Sequence, residues 1–234
     1  MIESERKQII DLVRREVIPA IGCTEPIAVA LCVAKAVETL GTKPENIKVF
    51  LSANILKNAM GVGIPGTGMI GLPIAVALGA IIGKSEYQLE VLKDSTPEAV
   101  KLGKQYINEK RVCISLKEGI AEKLYIEVLC EAEGKVATAI IAGGHTTFIY
   151  IARGEEILFS KQPVGTEEQD EQNLDLNLKK VYDFALTAPL EEIRFILETA
   201  RLNKAAAESS FQGDYGHALG KVLRGRCTAR GIMP

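Results

Sequence analysis

The chain of 234 residues carries 28 Lys and Arg against 30 Asp and Glu, a net charge of −2, and is 47% hydrophobic. That balance is that of an ordinary globular protein with one large domain or two small ones. It gives no electrostatic case for nucleic acid or an anionic membrane surface. The five cysteines are odd in number and form no C-x-x-C pair, which excludes a disulfide framework and zinc-finger spacing.

The first residues, Met1 to Lys7, are charged and lack an apolar signal core. The longest apolar run, Met69 to Ile82, is about 14 residues and falls short of the ~18 of a membrane span. A cytoplasmic, reducing location is the resulting expectation. Glu3 to Ile18 sets Ile10, Val13 and Val17 at helical spacing. Ile27 to Leu40 reads as a second helix, apolar nearly all round and therefore buried, ended by Gly41 with Pro44 beyond. Ile47 to Ile55 reads as a strand. Asn58 to Gly68 holds four glycines and a proline and reads as an irregular loop whose N–H groups suit an anion. Leu72 to Ile82, opened by Pro73, is a buried helix. Ser95 and Glu98 have capping-box spacing ahead of another.

From Arg111 the period becomes two. Val112 to Leu116, Leu124 to Cys130, Lys135 to Ala142, Phe148 to Ala152 and Ile157 to Ser160 read as strands, with a hairpin at Glu133-Gly134. The polar stretch Gln162 to Asn173 is the linker candidate. Helical patterns follow at Leu176 to Leu186, Leu190 to Ser209 and Gly213 to Gly225. The expected fold is α+β: an antiparallel meander packed with helices over residues 1–163, then a helical segment over 174–234 that begins a second domain.

The chain is organised around Ile21-Gly22-Cys23-Thr24-Glu25-Pro26, between two apolar helix-like segments. Gly22 breaks the first, Pro26 fits the first turn of the next, and Thr24 is the expected cap. Cys23 beside a helix N-terminus is favoured as a thiolate, suited to act as base, nucleophile or metal ligand. Cys32, Cys113 and Cys130 lie in packing positions, and Cys227 is isolated. His145 sits in a glycine-rich turn with Thr146 and Thr147, where an imidazole and hydroxyls suit carboxylate or amine recognition. His217 reads as structural. Gly61-x-Gly63-x-x-Gly66 matches the dinucleotide fingerprint in letters, but no strand runs into it and Pro65 interrupts the turn. No nucleophile-elbow serine, P-loop lysine or metal-ligand spacing of Asp, Glu and His occurs.

Arg15 to Pro26, Gly61 to Thr67 and Gly144-His145-Thr146, in that order, resemble the L-cysteine desulfidase family, relatives of iron–sulfur L-serine dehydratases. The resemblance implies a lyase that performs α,β-elimination on L-cysteine or L-serine without pyridoxal phosphate. It gives pyruvate, ammonia and sulfide or water, with a [4Fe-4S] cluster as Lewis acid and Cys23 as base at Cα. Thr24, Glu25, Asn58, Gly61, Gly63, Gly66, Thr67, His145 and Thr146 would surround the amino acid. Family members are longer, and the cysteine trio that ligates their cluster lies in a helical second half. This chain has no such trio, so no metal ligand is assigned in it and it corresponds to a shortened, N-terminal part. Two further readings stand beside the lyase: a non-catalytic amino-acid-binding module, and nucleotide binding at Gly61 to Gly68. A homodimer stays open as a partner.

Overall fold

A computed structural model describes residues 2–161, 176–213 and 217–229. The chain divides into two compact units, Pro19–Asn173 and Met1–Ile18 with Leu174–Pro234. The larger is α+β, as its change of period from 3.6 to 2 predicts.

Its centre is helix α2 (Thr24–Leu40), in which Pro26 to Ala34 are all buried. A helix apolar on every face has no solvent side and must be enclosed. It packs on a six-stranded sheet, on helix α4 (Leu72–Ile81), and on a 3-10 segment over Ser85–Glu90; helix α5 (Pro97–Asn108) packs in turn on α4. The strands are β1 (Asn46–Leu51), β4 (Val112–Leu116), β5 (Tyr125–Ala132), β6 (Lys135–Ala142), β7 (Phe148–Arg153) and β8 (Glu156–Ser160), in the order β4-β1-β5-β6-β7-β8. Strand β5 alternates buried Ile126, Val128, Cys130 and Ala132 with half-exposed neighbours, which puts its apolar set under the helices. Glu133 and Gly134 both take positive φ, the two-residue turn that matches strand twist. Edge strand β8 leaves Ile157, Leu158 and Phe159 exposed.

The sheet is mixed. β4 runs parallel to β1, pairing Ile47 with Val112 and Leu51 with Leu116, and only the rest is an antiparallel meander. The strand expected to reach Ile55 stops at Leu51, because Ser52 caps helix α3 (Ala53–Ala59) by accepting from Ile55 N. The glycine stretch is not irregular throughout: Gly63–Ile64 (β2) and Met69–Ile70 (β3) form a small antiparallel ribbon. At α5 the cap is Thr96, whose side chain accepts from Ala99 N, not Ser95.

The second unit joins helix α1 (Glu3–Glu16) to the C-terminal helices α6 (Leu178–Thr187), α7 (Leu190–Ile193), α8 (Leu197–Gln212) and α9 (Leu219–Ala229). The boundary therefore differs from a simple division near residue 163: α1 belongs with the C-terminal helices. Arg6 bonds Glu192 at 2.9 Å, Lys180 pairs Glu5 at 3.0 Å, and the Arg14 guanidinium stacks over Phe195. The single helix expected over Leu190 to Ser209 is broken by a 3-10 turn at Arg194–Ile196. The expected linker, Gln162 to Asn173, lies outside the described residues. No helix among the described residues is long and apolar enough to cross a membrane.

Helices α2 and α4 approach so closely that a Cβ on Gly79 would stand 2.6 Å from the carbonyl oxygen of Ala30. That oxygen is backbone and cannot swing aside. Gly79→Ala is expected to cost about 1–3 kcal/mol by over-packing. It should lower the urea midpoint with an unchanged denaturant slope; wild-type stability in the variant would show that the two helices slide freely.

Candidate active site

Cys23 is the N-cap residue of α2, with extended backbone (φ −65°, ψ 130°). Thr24, the expected cap, is already the first helical residue. The half-buried thiol of Cys23 donates to Glu25 Oε2 at 2.9 Å, and the Thr24 hydroxyl reaches the same oxygen at 3.4 Å. Asn58, on the last turn of α3, donates from Nδ2 to Glu25 Oε1 at 3.3 Å. Both carboxylate oxygens of Glu25 are thus engaged. His145, in the β6–β7 turn, lies within electrostatic reach and adds to the stabilisation of the Glu25 anion. That turn is fixed by Ala142 N to Thr147 O at 3.1 Å and Gly143 N to Leu124 O at 3.1 Å.

Gly22 joins this cluster to the glycine ribbon. Its φ is +121°, open to glycine at little cost, and a Cβ there would stand 3.1 Å from Pro65 Cγ. Pro65 lies between β2 and the turn at Gly66, which takes φ +75°. Thr67 is buried and spends its hydroxyl inside the ribbon, donating to Ile64 O at 2.7 Å and accepting from Met69 N at 2.9 Å. It shapes the ribbon; its side chain is not offered to a ligand. Gly61, Gly63 and Gly66 have open space where a Cβ would be. Thr146 is half-buried beside His145. The glycines follow helix α3 and form a ribbon, which is not the strand-to-helix turn of a dinucleotide fingerprint.

The electrostatics reverse one expectation. The helix start was expected to favour the Cys23 thiolate. Instead the thiol is pushed up from its ordinary value, first by burial and then by its hydrogen bond to the anionic Glu25. The backbone N–H groups of Thr24 and Glu25 pull the other way and lose. Glu25 moves in the complementary direction: the Cys23 hydrogen bond, ahead of the help from Asn58 and His145, lowers it. The resting pair is therefore one thiol proton shared toward one carboxylate. The Cys-x-Glu spacing at a helix start was the sequence signal for this pair; Glu25 read alone pointed only to substrate contact. The Gly22–Pro65 contact had no sequence signal.

The other described cysteines do not join the site. Cys32 is wholly buried, donates to Ala139 O at 3.3 Å, and burial raises it far. Burial pushes Cys130 up to about 12, and Cys113 is exposed. Among the described residues no group of three or more His, Cys, Asp or Glu converges to hold a metal ion. These residues do not fit a [4Fe-4S] cluster. A groove of about 430 Å³ exists at the end of β1, lined by Ser52, Asn54, Leu116 and Lys123 among others, and none of the candidate residues lines it.

The pair makes a pH prediction. Alkylation of Cys23, followed by peptide mass spectrometry, should have its midpoint above that of an ordinary cysteine. Glu25→Gln removes the anion that disfavours thiolate and should move the midpoint down. A midpoint unmoved by that change would show that burial alone sets the thiol.

A UPF0597 protein of Bacteroides fragilis is 80% identical over 225 residues, 96% of this chain and 53% of its own length. One of Bacteroides thetaiotaomicron is 75% identical over 225 residues, covering 96% and 52%, and one of Porphyromonas gingivalis 44% identical over 231 residues, covering 96% and 53%. No family model matches, and no solved structure matches. The chain spans about half the length of the curated relatives it matches. The resemblance to the L-cysteine desulfidase family is corrected by these names: the three relatives, 80%, 75% and 44% identical, are each called UPF0597 protein and not desulfidase. The similarity of this chain, over nearly all of its length, is to about half of a UPF0597 protein.

Proposed function

We propose that the Cys23 site removes the Cα proton of a small α-amino acid, the first half of an α,β-elimination on L-cysteine or L-serine. The observation that carries the reading is the 2.9 Å contact between Cys23 Sγ and Glu25 Oε2, with Asn58 on the other carboxylate oxygen. A thiol held against a carboxylate has a place to leave its proton. Once that proton passes to Glu25 or to water, the sulfur is free to take the proton from Cα. The electron pair left at Cα then forms the Cα–Cβ double bond as the β-substituent departs with its pair, as sulfide or hydroxide. The enamine hydrolyses to pyruvate and ammonia. His145, Thr146 and the glycine ribbon, which has open space beside Gly61, Gly63 and Gly66, are the groups that would meet the substrate's carboxylate and amine. The free cysteines suit a reducing cytoplasm.

A second reading is an amino-acid-binding module that performs no elimination. It is favoured by the poor fit of the described residues to an iron–sulfur cluster, the group that resemblance had assigned to the leaving-group half.

Proton NMR in D2O separates the two without requiring a leaving group to depart. With L-serine, the wild-type chain is expected to exchange the Cα hydrogen for deuterium. Cys23→Ala should slow that exchange by about 100-fold or more, the usual worth of a positioned base. Calorimetric binding of L-serine without any exchange would leave the binding module; exchange equally fast in Cys23→Ala would remove Cys23 from the chemistry.

A further inference from the structure

In α6, α7 and α8 no residue is buried. Their apolar side chains are nonetheless spaced for burial. On α6, Leu178 is 85% exposed, Tyr182 62% and Leu186 66%, at i, i+4 and i+8, one stripe along one face. Leu190 at the start of α7 is 79% exposed, and Leu219 and Leu223, one turn apart on α9, are 64% and 50% exposed. Apolar stripes on α6 and α9, with Leu190 between them and charges such as Lys179 and Asp183 beside the first, have the pattern of a bundle lacking its facing layer. Charged residues beside the apolar ones make local ion pairs: Lys179 with Asp183 at 2.7 Å, and Arg201 with Glu198. On α6 the charges are paired with each other while the apolar stripe beside them is left exposed.

The occupant follows from length. Relatives 75–80% identical to this chain carry it as 52–53% of themselves, so nearly half of each lies beyond the matched region. We propose that the apolar faces of α6, α7 and α9 are the docking surface for that additional half, which presents amphipathic helices to them. Interdigitation of i, i+4 ridges is the geometry such stripes offer to a facing helix.

Two measurements test this. The first is amide exchange on α6 in this chain and on the corresponding helix of the intact Bacteroides fragilis relative. Exchange should slow at least tenfold, by estimate, in the intact protein; equal exchange would overturn the proposal. The second co-expresses this chain with the additional half of that relative as a separate polypeptide. A 1:1 complex is expected by light scattering, and Leu178→Asp with Leu186→Asp should weaken it by about 30-fold or more. Both positions lie outside any core, so the variant's thermal transition should stay that of the parent. A complex indifferent to the two substitutions would overturn the assignment. So would self-association of this chain that the same substitutions abolish, since the surface would then belong to a second copy.

Discussion

Helix α2 cannot turn. Its residues from Pro26 to Ala34 are enclosed by the sheet, by α4 and by the Ser85–Glu90 segment, and Gly79 lets α4 approach until backbone meets backbone. A helix with one buried stripe can rotate a few degrees and still bury most of it; a helix buried all round loses contacts in every direction. Its first residues inherit that fixity. Cys23, Thr24 and Glu25 are surface chemistry mounted on an immobile core, and the geometry of the pair follows from the packing behind it.

At that helix start two opposed effects act on one sulfur. The dipole and the first N–H groups favour the anion; burial and the neighbouring carboxylate favour the thiol. The second set wins: burial is the larger effect, and the hydrogen bond to Glu25, which Thr24 and Asn58 also hold as an anion, adds to it. Proximity to a helix terminus is a bias of fractions of a kcal/mol to about 1 kcal/mol, and burial together with a well-placed carboxylate exceeds it.

Much of this was legible in the residues. The unbroken apolar run of α2, the alternation of β5 to β8 and the Glu133-Gly134 turn each state their structure locally, through period and turn chemistry. What was not legible depends on partners. Nothing in Val112 to Leu116 says that it pairs with Asn46 to Leu51, or that it does so in parallel. Nothing in α1 says that Arg6 will find Glu192. The ribbon at Gly63–Ile64 and Met69–Ile70 was hidden by its glycines, which argue against regular structure and here supply the turn between two short strands. The thiol–carboxylate pair lay in plain sight as Cys23-x-Glu25, but its sense could be read only when the orientation of the carboxylate was known. The family resemblance carried by the same residues did not survive comparison with the relatives.

The place of His145 in the chain has a kinetic consequence. Cys23 and Glu25 are neighbours in sequence, and Asn58 arrives with the first helix beyond β1. The imidazole arrives only after β5 and β6 have paired and the chain has turned toward β7. Contacts between residues so distant in sequence are late and slow to form. A nascent chain halted before β6 would lack both the imidazole and part of the sheet that fixes α2, so the geometry of the acid pair and its electrostatic surroundings would be unfinished together.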